Sequence, residues 1–62
     1  MTTNESGSRQ VEVVSAESGA IWVVHVIEDG ETTEQSFEME SFAAAFAEGQ
    51  RLRLGLDEIS RS

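Results

Sequence analysis

Apolar positions recur along this chain with two different periods, and the switch between them divides it. Residues 11 to 16, VEVVSA, are valine-rich and partly alternating, the pattern of a strand. Ser18-Gly19 follows, a pair suited to the positive φ angles of a tight turn. Residues 21 to 28, IWVVHVIE, form the strongest strand signal in the chain, and Asp29-Gly30 after them marks a two-residue hairpin. TTEQSF continues as a third strand with period-two polarity. From residue 39 the period lengthens. In MESFAAAFAEGQRLRL, residues 39 to 54, the positions Phe42, Ala45, Phe46, Gly49, Leu52, Arg53 and Leu56 fall on one stripe at spacings of three and four, predicting an amphipathic helix. Glu38 and Glu40 at its start and Arg51 and Arg53 at its end suit the helix dipole, and Gly55 suits the C-cap. The fold class expected is therefore α+β: a three-stranded antiparallel meander covered on one face by a single C-terminal helix, in the order β-β-β-α. RLRLGL also alternates with period two, so residues 51 to 56 have a fourth strand as their alternative.

The two turns set the register. With Asp29-Gly30 as a loop, Trp22 faces Phe37, Val24 faces Gln35 and Val26 faces Thr33; with Ser18-Gly19 as a loop, Val13 faces Val24 and Val11 faces Val26. One sheet face then carries Val11, Val13, Trp22, Val24, Val26 and Phe37, and this is the expected core face. Gly49 lies on the expected stripe, and close packing against Trp22 and a helix stop are the two reasons for a glycine there. The opposite face carries Val14, Ala16, Ile21, Val23 and Ile27, interrupted by Glu12, His25, Thr32, Glu34, Ser36 and Glu38. The only helix is already committed, so Val14, Ile21, Val23, His25 and Ile27 form the expected partner surface.

Length and composition narrow the functions. A chain of 62 residues is one small domain, burying only about 60% of its unfolded surface. That leaves little room for a substrate cavity, and the expectation is a non-enzyme. Residues 1–9 and 57–62 are too polar to offset their ordering entropy and read as frayed tails around a domain at 10–56. No cysteine is present, which rules out disulfide and thiolate-metal staples. The first ten residues lack the pattern of a signal peptide, and the longest apolar stretch is far short of the roughly 20 residues of a membrane span. The expectation is a cytoplasmic protein without membrane contact. The net charge of −8, from twelve acidic residues against four arginines, argues against nucleic-acid binding and for a basic partner.

The one histidine is the main chemical candidate. The register places His25 opposite Glu12 on one neighbour and Glu34 on the other. Its plainest role is a cross-strand charge pair worth a few tenths to about 1 kcal/mol. The alternatives are a pH-sensitive element at a dimer interface and a weak metal or ligand site, since one imidazole and two carboxylates are donors for a divalent ion. No second histidine or cysteine supports a metal, and none is assigned. Glu28, Asp29 and Glu31 surround a hairpin turn and read as a solvated tip. No phosphate-binding glycine loop or nucleophile–base pair is present, so no catalytic residue and no cofactor is assigned.

FAEGQRLRLGL, together with the preceding WVV…DG…F hairpin, resembles a group of short bacterial proteins built as strands followed by one helix, over about residues 20 to 56. The resemblance implies no activity, and it implies an intertwined or domain-swapped dimer. A small acidic homodimeric interaction module is the reading that follows, since a core this small is marginal alone. The alternatives are an acidic regulatory partner of a basic protein, in the manner of an antitoxin or nucleic-acid mimic, and a metal- or ligand-binding protein using the His25 row.

Overall fold

The computed structural model describes residues 9–61. Three antiparallel strands, β1 (Arg9–Ala16), β2 (Ile21–Glu28) and β3 (Glu31–Phe37), are followed by one helix, α1 (Glu40–Leu54), and a two-residue strand, β4 (Ser60–Arg61). The sheet order is β3-β2-β1-β4. The β-β-β-α order expected from the pattern is therefore present, with a fourth short strand added. Residues 1–8 of the expected N-terminal tail lie outside the described residues; Arg9 is already the first residue of β1.

Both hairpin registers are those the turns imply. Trp22 pairs with Phe37, Val24 with Gln35 and His25 with Glu34, while Glu12 pairs with His25 and Val13 with Val24. Asp29 (φ 51°) and Gly30 (φ 91°) both take left-handed backbone, as a two-residue turn with the right twist requires. The first connection is longer than expected. Ser18-Gly19 lies inside a short 3-10 turn, Glu17–Gly19, and the ladder opens after the Ala16–Ile21 pair. The added residues are symmetric about the turn, so the register is unchanged.

The helix ends where its sequence says it should. Gly55 adopts left-handed backbone (φ 72°), its N–H donates to Leu52 O (3.2 Å), and the Leu56 N–H donates to Arg51 O (3.0 Å). That is a Schellman ending, which satisfies two carbonyls of the last turn. Residues 51–54 are thus helical and not a strand. The fourth strand forms instead in the segment read as a frayed tail. Ile59 packs against the core, and Ser60 and Arg61 run parallel to Glu12 and Val13 at the free edge of β1. Gln10 Nε2 donates to Ser60 Oγ (3.4 Å), and Arg61 reaches Glu40 (3.4 Å). The helix carries the chain across the sheet, from the β3 edge to the β1 edge.

The sheet face turned to the helix is the expected one. Val11, Val13, Val24 and Val26 are buried on it, with Trp22 and Phe37 packed at its end. The helix face is not the expected one. Ala43, Ala47 and Leu54 are buried, and Phe46 is half-buried, its ring 5.5 Å from that of Phe37. Of the expected stripe, Phe42 is 59% exposed and Leu52 63%. Ala45, Gly49 and Arg53 are exposed too, so Gly49 does not pack on Trp22, and a Cβ there would meet nothing within 4 Å. Leu56 reaches the core from beyond the C-cap. The helix is turned by roughly a third of a turn from the orientation that buries its largest side chains. The physical reason lies in the sheet. Four β-branched side chains already fill the space over β1 and β2, so the helix comes close only by presenting methyl groups.

One guanidinium pair ties the helix to the sheet, and a second lies within the helix. Arg53 Nη2 and Nη1 donate to the Glu28 carboxylate at 3.0 and 3.3 Å, tying the end of the helix to the end of β2. That hydrogen bonding holds the Glu28 carboxyl below the usual glutamate range, and the Arg51 guanidinium does the same for Glu48. Arg51 also donates to Leu56 O (2.8 Å), bracing the helix ending.

The orientation predicts an inverted pair of truncations. Leu54→Ala should cost about 2–3 kcal/mol in urea denaturation at low micromolar protein. Leu52→Ala should stay within about 0.5 kcal/mol of the parent. Equal losses would contradict the orientation.

Candidate functional site

Nothing among the described residues covers the sheet face opposite the helix. It carries Glu12, Val14 and Ala16 from β1, Ile21, Val23, His25 and Ile27 from β2, and Thr32, Glu34 and Ser36 from β3. Strand alternation puts them there: their neighbours in sequence, Val11, Val13, Trp22, Val24 and Val26, face the helix, so every second residue faces out. Val14, Ile21, Val23, His25 and Ile27 are each half-buried, shielded only by neighbours on the same face. The ladder brings Val14 beside Val23 and Ala16 beside Ile21, while Ile27 lies beyond His25, next to Gln10 and Thr32. The apolar patch is therefore divided. Its larger part is Val14, Ala16, Ile21 and Val23, and the histidine row separates it from Ile27.

That row is built as the register requires. His25 Nδ1 lies 3.4 Å from Glu12 Oε1, and Nε2 lies 3.0 Å from Glu34 Oε2. Both ring nitrogens face carboxylate oxygen, an arrangement in which only the imidazolium donates on both sides. The His25 and Glu12 side chains are about three-quarters buried, and Glu34 is largely exposed at the edge strand. Two carboxylates to one imidazole leave the middle of this face acidic. Among the described residues no three histidine, aspartate or glutamate side chains are placed to hold a metal ion. The row joins the three strands across this face.

On the helix side of the sheet, α1 lies over β1 and β2 and leaves the inner face of β3 open. An open groove of about 250 Å³ runs there, with Phe46 and Gln50 on one wall and Thr33, Glu34 and Gln35 on the other. Ligand clefts usually measure about 300–1,000 Å³ and bring several polar groups together. This groove is smaller, and the one ionisable residue along it, Glu34, turns its carboxylate to His25 on the other face of the sheet.

The Glu28–Asp29–Glu31 tip is not simply solvated, because Glu28 binds Arg53 and Asp29 lies 3.7 Å from Arg9. Sequence reasoning also missed a second uncovered apolar surface, on the helix. Phe42 and Leu52 stand out from it, with Met39 (53% exposed) just before its first turn. The signal was present in the sequence as the very stripe expected to be buried.

No family of known proteins, no curated protein and no solved structure matches this chain. No helix among the described residues is long and apolar enough to cross a membrane. His25→Ala should lower stability by no more than about 1 kcal/mol in urea denaturation, as for a cross-strand contact that is partly open to water. A loss of 2 kcal/mol or more would make the row a structural element of the fold.

Proposed function

We propose that this protein is a small acidic interaction module that acts as a homodimer and performs no catalysis. One observation carries the reading: the helix buries alanines and exposes Phe42 and Leu52. Three valines are the largest fully buried side chains. A core of that size is marginal for an independent domain, and association is a usual remedy. Large apolar side chains left outside so small a core are better explained by a partner than by solvent. The reading takes the module to work in the cytoplasm.

A second reading concerns what the dimer binds. Each of the four arginines lies against a carboxylate: Arg9 with Asp29, Arg51 with Glu48, Arg53 with Glu28 and Arg61 with Glu40. The cationic charge is thus matched locally, and the net charge of −8 is a carboxylate excess. The outer sheet face, with acidic Glu12 and Glu34 beside Val14, Val23 and Ile27, suits a basic protein with apolar side chains among its cations. It suits a nucleic acid poorly.

Light scattering should give about twice the chain mass of 6.8 kDa at high micromolar protein. A monomer there would contradict the homodimer. Salt separates the two kinds of contact. Two copies of an acidic chain repel at long range, so the homodimer should tighten as sodium chloride rises from about 20 to 300 mM. A complex with a basic protein should loosen over the same range.

A further inference from the structure

We infer that the two copies meet through their helices, packed antiparallel along the exposed seam Phe42, Ala45, Gly49 and Leu52. The inference rests on the homodimer reading and names its interface. These four residues follow one another at spacings of three, four and three, the repeat of a coiled-coil seam. All four are exposed, on the side of the helix turned away from the valine face. They are also self-complementary. In an antiparallel pair centred beside Ala47, Ala45 of one copy faces Gly49 of the other, and Phe42 faces Leu52. Small residues meet at the middle, where the backbones come closest, and bulky ones close both ends.

Charge favours the second copy as occupant and antiparallel as its direction. The helix has Glu40 in its first turn and Arg51 and Arg53 in its last. Antiparallel packing sets the acidic end of each helix beside the basic end of the other and opposes the two dipoles. Parallel packing would set Arg53 against Arg53. The outer sheet face fits a second copy less well, since a two-fold stack there would press two Glu12–His25–Glu34 rows together, four carboxylates to two imidazoles.

The area sets the strength. Large apolar side chains bury about 150–250 Å² when fully covered, so Phe42, Leu52 and Met39 each still present roughly 100 Å². With the small seam residues and the edge of Phe46, each copy contributes roughly 400 Å², and the pair roughly 800 Å². That falls below the about 1,200 Å² of stable interfaces and among weak, transient ones, so it calls for a weak, reversible dimer in the micromolar range or above.

The chain has no cysteine of its own, which makes disulfide trapping clean. Ala45→Cys and Gly49→Cys both fall at exposed positions, and the space around Gly49 is open. The Ala45–Gly49 pairing puts the two Cα atoms within the roughly 4.4–6.8 Å that a disulfide spans. An equimolar mixture of the two variants, oxidised with glutathione disulfide at high micromolar protein, should give mainly the mixed disulfide, several-fold above the statistical share. Like-with-like products, a statistical mixture or no cross-link, from a parent that scatters as a dimer, would overturn the helix pairing and leave the homodimer standing. A parent that scatters as a monomer at about 1 mM would overturn both.

Discussion

The contact on which everything else depends is that of two alanines against four valines. Val11, Val13, Val24 and Val26 make the inner face of β1 and β2 stiff and already nearly full. A helix joins such a face only through side chains that add little volume, and Ala43 and Ala47 are fully buried there. Interiors tolerate neither voids nor overlap, so the choice of small groups at this contact fixes how the helix is turned about its axis. Once it is turned that way, Leu54 falls inward, Phe46 falls on Phe37, and Phe42 and Leu52 have nowhere to go but out.

Because the core is small, fixing the helix orientation falls partly to polar contacts. The Arg53–Glu28 bond ties the end of the helix to the second hairpin, and Arg51 holds both Glu48 and the Leu56 carbonyl. At the other edge, Ile59 draws the chain end back to the core so that Ser60 and Arg61 cover part of the β1 edge. An edge strand left open invites other strands. The closure is short, covering only Glu12 and Val13 of β1, and among the described residues β3 has no strand on its outer side.

The parts legible in the sequence are those decided by local chemistry. Asp29-Gly30 admits few turns, and the register that follows from it places Trp22 on Phe37 and His25 on Glu34 without further information. Gly55 is equally plain as a helix stop, because left-handed backbone comes cheaply to glycine. The helix face was not legible, since the helix carries two apolar stripes. Periodicity favoured the one with larger side chains, whereas the valine face admits only the one with smaller. β4 was hidden for a related reason: a two-residue parallel pairing depends on where the helix delivers the chain. The placement of His25 between Glu12 and Glu34 follows from the same register.

The function proposed for this protein is a matter of surfaces. The Glu12–His25–Glu34 row is a contact across three strands, and among the described residues the apolar side chains are divided between a small core and two faces left uncovered, one on the sheet and one on the helix. Everything proposed for those faces follows from the turn of the helix about its axis. Nuclear Overhauser contacts of the side-chain methyl groups in dilute solution measure that turn. The Ala43 and Ala47 methyls should show contacts to Val11 and Val24, with none from Leu52 to the sheet. Contacts from Phe42 and Leu52 to Val24 and Val26 would contradict it.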